Sequence, residues 1–176
     1  EHIAFVQAFH RQLYRSACVQ KRAIDAPYCP QCARLLTDRM VVGRCPHCGG
    51  GARGDQCDAC GAILEPGQVE APRCAACGSQ PDYRRTTALY LRLSQLAGPL
   101  GDLLRRRPAW RPNARAFTRR YLEAGLRDRA ITRDLDWGID VPLPGYEDKK
   151  IYIWAENVLG YLSATAAACA ARRLNF

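Results

Sequence analysis

Apolar positions follow two rhythms along this chain, and one long stretch follows neither. In residues 3–14, Phe5, Val6, Phe9 and Leu13 recur at three- and four-residue steps and predict one face of a helix. Thr87, Leu89, Leu91 and Leu93 alternate like a strand with one buried face. Ser94 then stands as the cap of a predicted helix carrying Leu96, Leu100, Leu103 and Leu104, with Gly98-Pro99 as a point of break or delay. Beyond a proline-rich joint around Pro108 and Pro112, Asn113 is the predicted cap of a further helix. Phe117, Tyr121 and Leu122 lie on its packing side, Arg115, Arg119 and Arg120 largely on its free side, and Gly125 near its end. Residues 131–141 read as extended chain and turn. Ile151-Tyr152-Ile153-Trp154 reads as a short buried strand feeding a helix from Glu156 onward. A strand running directly into a helix predicts an α/β fold, in which ligands sit beyond the carboxyl ends of strands, where Trp154 falls.

The stretch without rhythm is residues 29–77, where glycine and proline are scattered among eight cysteines and no apolar period is long enough for a conventional core. Four CxxC pairs stand there: Cys29/Cys32, Cys45/Cys48, Cys57/Cys60 and Cys74/Cys77. One such turn presents two sulfurs to one ion, and two turns complete a tetrahedral four-thiolate shell. Gly49, Gly61 and Gly78, each just after a second cysteine, let backbone approach the sulfurs. Disulfides are the alternative and suit a secreted chain, but no charged start followed by a signal-type apolar run is present. Two structural zinc ions are therefore expected, with no open coordination position. The pairs can combine in three ways. The eight-residue link between Cys48 and Cys57 favours Cys45, Cys48, Cys57 and Cys60 on one zinc, with Cys29, Cys32, Cys74 and Cys77 on the other. His47 is expected to stay outside the shell, Cys18 and Cys169 to be small buried hydrophobes, and Arg53-Gly54-Asp55 to be turn chemistry.

Composition narrows the class further. With 176 residues and 48% apolar side chains, the chain is long enough for one or two cores, which excludes disorder. No apolar run approaches a membrane span, so a cytoplasmic location is expected. The chain opens on Glu1, has Met40 as its only methionine and closes on Leu174-Asn175-Phe176, which reads as a segment of something longer. The formal charge is +9, carried mostly by arginine, with lysine only at Lys21, Lys149 and Lys150. Eight thiolates and two divalent ions would lower it by four, to about +5. A basic surface of that size suits an RNA partner as well as it suits simple solvation.

The string PYCPQCARLLTDRMVVGRCPHCGGGARGDQCDACGAILEPGQVEAPRCAACG closely resembles the two-zinc connective peptide of methionyl-tRNA synthetases. Leu36-Thr37-Asp38-Arg39, residues 52–57 and Leu64-Glu65-Pro66 share in that likeness. Glu1-His2 with Phe5-Val6-Gln7 resembles the helix leading into the insert. Leu126-Arg127-Asp128, Ile131-Thr132-Arg133-Asp134 and Asp136-Trp137-Gly138-Ile139 resemble its exit. IYIWAENVLGYLSAT, residues 151–165, resembles the strand and helix lining the methionine pocket, with a departure at Ala155-Glu156-Asn157-Val158.

The resemblance implies a class I Rossmann-type catalytic domain, only part of which is present, bearing a zinc-knuckle insert. It implies three segments: 1–22 leading into the insert, 23–130 forming it, and 131–176 starting the second half of the catalytic domain. The whole enzyme would activate methionine with ATP and Mg2+ and charge tRNA(Met). Trp154 and Tyr161 would enclose the methionine side chain, a good match of aromatic faces to a thioether; on burial alone both would be core aromatics. Arg133 would be the catalytic arginine near the reacting phosphates, its alternative being a salt bridge to Asp134 or Asp136. HIGH-type and KMSKS-type motifs are absent, so this piece alone is not expected to aminoacylate. Two rivals stand beside this reading. One is a stand-alone zinc ribbon binding nucleic acid through Arg105–Arg107, Arg111, Arg115, Arg119 and Arg120, with Trp110, Phe117 and Tyr121 interleaved. The other is a different class I synthetase with an editing insert, for which the segment is too short.

Overall fold

The structure is a computed structural model describing residues 1–176. In chain order its elements are α1 (His2–Tyr14), β1 (Val19–Cys29), β2 (Arg34–Leu35), β3 (Val41–Arg44), β4 (Gly51–Arg53), β5 (Glu70–Cys74) and β6 (Asp82–Leu91). They continue with α2 (Ala97–Arg106), α3 (Pro112–Glu123), β7 (Arg129–Ala130), β8 (Thr132–Asp134), β9 (Lys149–Ile151) and α4 (Ile153–Ala171). The strands form three sheets with orders β2-β1-β6-β7, β4-β3-β5 and β8-β9. The chain packs as two compact units: Glu1–Lys21 with Leu89–Ile131 and Tyr152–Phe176, and Arg22–Ala88 with Thr132–Ile151.

In the first unit, α1 packs on α4 through Val6 and His10, both fully buried, whereas Phe9 is exposed. The inward ridge is therefore one i, i+4 pair of the expected face, with an imidazole in place of the Phe9 ring. His10 Nε2 donates to the Ala155 carbonyl at 3.1 Å, which fixes α1 against the first turn of α4. His2 is held between Ser163 Oγ at 2.8 Å and Glu156 Oε2 at 3.0 Å.

Four local expectations are corrected here. Ser94 does not cap α2: a 3-10 turn over Leu93–Leu96 precedes the helix, and the Ser94 N–H and hydroxyl both donate to Asp128 Oδ1 at 3.2 and 2.7 Å. Pro99 sits in the first turn of α2, where its missing N–H breaks no bond, so Gly98-Pro99 begins the helix instead of breaking it. Asn113 lies inside α3, whose cap is Arg111 with Pro112 in the first turn; Gly125, at φ +81°, follows its end. The face of α3 that turns inward carries Arg115, Thr118 and Leu122, and leaves Phe117 and Tyr121 exposed against each other at 4.8 Å between ring centres. Its aromatic stripe is thus the open side, contrary to the pattern's suggestion.

In the second unit, β3 pairs antiparallel with β4 (Gly43 opposite Ala52) and with β5 (Val41 opposite Cys74). The core of this unit holds Leu36, Val41, Ala52, Leu64 and Val69 together with Cys29, Cys45, Cys57 and Cys74. The first cysteine of every CxxC pair is therefore a core residue, and the second lies nearer the surface. Two glycines are required by close approach. A Cβ on Gly43 would lie 2.5 Å from the Glu70 carbonyl, and one on Gly54 would lie 2.3 Å from the Asp38 carbonyl. Thr132–Asp134 pairs with Lys149–Ile151 as β8 and β9, so the predicted strand ends at Ile151 and Trp154 falls in the first turn of α4.

Candidate metal centres

Three of the four knuckles fold by the same local chemistry. The N–H of the residue after the second cysteine bonds the carbonyl of the first: Gly49 to Cys45 at 2.9 Å, Gly61 to Cys57 at 3.0 Å and Gly78 to Cys74 at 2.8 Å. A second bond closes each turn, from Cys45 N–H to the Gly50 carbonyl, from Cys57 N–H to that of Ala62 and from Cys74 N–H to that of Ser79. The turn needs a left-handed residue at that glycine position, and Gly49, Gly61 and Gly78 have φ of +70°, +72° and +74°. The first knuckle places Ala33 there, at φ +52°. A Cβ in this region costs about 1 kcal/mol. Ala33→Gly is therefore expected to raise stability by roughly 0.5–1 kcal/mol, read as a higher denaturant midpoint at unchanged slope; a lower midpoint would show that the backbone there is unstrained.

The eight sulfurs converge in two groups. Cys45, Cys48, Cys57 and Cys60 form an inner cluster, and Cys29, Cys32, Cys74 and Cys77 an outer one, with all sulfurs of a group within 4.8 Å of one another. Sulfur–sulfur edges are 3.8 Å (Cys45–Cys60) and 3.6 Å (Cys48–Cys57) in the inner cluster, and 3.4 Å (Cys29–Cys77) and 3.8 Å (Cys32–Cys74) in the outer. A tetrahedron of zinc–sulfur bonds of about 2.3 Å has edges of about 3.8 Å, so both donor sets fit a zinc ion. All ten cysteines are free thiols; Cys18 and Cys169 are half-buried and belong to neither group, and His47 is exposed outside the inner shell.

Their protonation also fits a divalent cation. The Ser79 hydroxyl holds Cys29 down at about 6, while hydrogen bonds with the Cys77 and Cys29 sulfurs push Cys32 up to about 12. In the inner cluster the Cys60 N–H holds Cys57 down at about 7. The Gly50 N–H pulls Cys48 down, but its bonds with the Cys57 and Cys60 sulfurs outweigh this and push it up to about 12. Four adjacent sulfurs cannot all ionise unaided; a divalent cation makes four thiolates compatible.

The same unit buries two ion pairs. Arg133, only 7% exposed, forks onto Asp38 with Nε to Oδ2 at 2.9 Å and Nη2 to Oδ1 at 3.0 Å, and its Nη1 donates to the Thr132 carbonyl. Its ion-pair partner is Asp38, in place of Asp134 or Asp136. Asp134 is instead paired with Lys149, whose buried Nζ also donates to Thr86 Oγ1 at 2.9 Å. Sequence reasoning missed Lys149; the available signal was the alternation of β9, which turns positions 149 and 151 inward and leaves 150 less buried.

Trp154 is 62% and Tyr161 78% exposed on α4, with Val158 between them on the same face. Neither is a core aromatic within this chain. No helix here is long and apolar enough to cross a membrane.

The chain is thus mixed α/β and carries two four-sulfur clusters on CxxC turns, the donor sets of a metal-bearing protein. A similar fold occurs in Mycobacterium tuberculosis methionyl-tRNA synthetase in complex with methionyl-adenylate, at a TM-score of 0.54 and 16% identity over 92% of this chain and 27% of that one. The family described as tRNA synthetases class I (M) matches residues 1–175, and the chain belongs to it. Methionine--tRNA ligase of Methanopyrus kandleri is 44% identical over 96% of this chain and 25% of its own length. That of Dehalococcoides mccartyi is 46% identical over 93% of this chain and 30% of its own. The chain thus spans about a quarter to three tenths of the curated relatives it matches.

Proposed function

We propose that this chain is the zinc-bearing insert and adjoining catalytic-domain portion of a cytoplasmic methionine--tRNA ligase, which activates methionine with ATP and Mg2+ and charges tRNA(Met). The observation that carries the reading is the pair of four-sulfur clusters within a sequence 44% identical to such a ligase over 96% of this chain. Residues 1–22 lead into the insert, 23–130 form it, and 131–176 return to the catalytic domain. Cys45, Cys48, Cys57 and Cys60 hold one zinc and Cys29, Cys32, Cys74 and Cys77 the other. Bound there, the ions cross-link the knuckles; with four sulfurs each, they leave no position for water or substrate.

Trp154 and Tyr161 are the proposed methionine contacts. Their exposure supports this, because an apolar helix face with rings two turns apart is a ready wall for a thioether side chain. Arg133 is proposed near the reacting phosphates. Asp38 and Thr132 accept from its guanidinium at three N–H groups, which fixes the direction of the fork. Trp154→Ala in the complete enzyme is expected to lower kcat/KM for methionine by about 10- to 100-fold in ATP–pyrophosphate exchange, the loss of one buried ring contact, with KM for ATP little changed. Unchanged methionine kinetics would remove Trp154 from the pocket.

A further inference from the structure

The two clusters share their knuckle geometry but differ two positions beyond the second cysteine. In the inner cluster that position is Gly50 in one knuckle and Ala62 in the other, neither with a hydrogen-bonding side chain. A Cβ on Gly50 would stand 3.4 Å from Cys48 Sγ, so this place lies directly against the sulfurs. In the outer cluster it is Arg34 in one knuckle and Ser79 in the other, and the Ser79 Oγ lies 3.1 Å from Cys29 Sγ and 3.1 Å from Cys77 Sγ. Ser79 is half-buried, and its carbonyl accepts the Cys74 N–H at 2.9 Å, so the residue is held by the turn it closes. One hydroxyl carries one proton and donates to one sulfur at a time; the two thiolates share it. The clusters also differ in exposure: Cys48 and Cys60 of the inner one are both exposed, against Cys77 alone in the outer.

We propose that Ser79 is a positioning residue that makes the two metal centres unequal, its hydroxyl tying Cys29 and Cys77 together so that the outer centre retains its ion longer than the inner. The proposal rests on the four-thiolate reading of both clusters. A hydrogen bond onto a ligating sulfur fixes its direction and draws off charge that would otherwise attract a proton or a competing electrophile, and loss of such a partner typically costs about 10- to 100-fold in metal affinity. The inner sulfurs accept from backbone N–H groups alone, with no hydroxyl donor and with more solvent, and are the first to be reached by a chelator.

The test uses the full chain loaded with two equivalents of zinc. Release is followed with a metallochromic dye under excess chelator, with pulse alkylation and mass spectrometry to identify which cysteines open in each phase. Two one-equivalent phases are expected, with Cys45, Cys48, Cys57 and Cys60 alkylated in the faster. Ser79→Ala should speed the slower phase roughly tenfold and leave the faster unchanged, while Ser79→Thr, which keeps the hydroxyl, should preserve the slow rate. Equal rates at the two centres, earlier opening of the outer cysteines, or a Ser79→Ala effect shared by both phases would overturn the proposal. A chain that never takes up two ions would overturn the four-thiolate reading itself, a failure distinguishable by stoichiometry before any rate is measured.

Discussion

Removing zinc from the loaded chain is expected to unfold the cysteine-bearing unit, with amide protection lost across β3, β4 and β5 and the transition abolished by restoring the metal. The buried aliphatic side chains of this core are few, chiefly Leu36, Val41, Leu64 and Val69, and Cys29, Cys45, Cys57 and Cys74 make up much of the rest. So small an apolar core cannot offset the ordering of its backbone, and four-thiolate zinc sites of this kind contribute on the order of 10 kcal/mol each to folding. Protection in β3–β5 that survives complete chelation would reject zinc as the organiser. The pH dependence has a defined sign. In the metal-free, unfolded unit the thiols titrate at their ordinary value of about 8.5, whereas ligating sulfurs are held as thiolates. Folding around the cation therefore releases protons, so zinc-dependent stability is fully present above about pH 8.5 and is lost progressively as pH falls below it.

Asp38→Ala is expected to destabilise the zinc-loaded chain by about 2–4 kcal/mol, or roughly 5–15 °C in melting temperature. It removes both acceptors of the Arg133 fork and leaves a guanidinium that is 7% exposed without its carboxylate. The full cost of breaking a buried pair is somewhat larger, about 3–5 kcal/mol, but the Asp38 side chain is 19% exposed and water partly compensates. Removing both charges should cost less than removing one. The double substitution Asp38→Ala with Arg133→Met is thus expected to recover part of the loss, and a double-substitution cycle measures the coupling. Additive losses, or a single-variant change below about 0.5 kcal/mol, would show that the pair does not anchor the unit. Gly54 belongs to the same arrangement, because its missing Cβ is what lets the Asp38 carbonyl approach.

The CxxC turns, the family and the positions of α1 and β6 were legible because short-range spacing encodes them. A cysteine pair two residues apart with glycine following defines a turn without reference to the rest of the chain, and a three-to-four-residue apolar step defines a helix. The convergence of Cys29/Cys32 with Cys74/Cys77 was only favoured by loop length, since each closed pair excludes the others through the path of the whole segment.

Other features had no local signature. Ser94 and Asn113 carry cap chemistry but sit beside better offers: Asp128 for the first, and Pro112 one residue earlier for the second. Phe117 and Tyr121 lie on a helix whose inward side is chosen by its contact with α2, and that choice exposes the aromatic stripe. Taken alone, the amino-acid order determined which sulfurs can hold metal and to which family the chain belongs, because both reside in residue identity and spacing. Only the tertiary structure decided that Arg133 meets Asp38 across 95 positions, that Lys149 is buried against Asp134 and Thr86, that Ser79 reaches two sulfurs of one cluster, and that Trp154 and Tyr161 stand open. Those are contacts between distant segments, and they are settled by burial and charge pairing once the chain has closed.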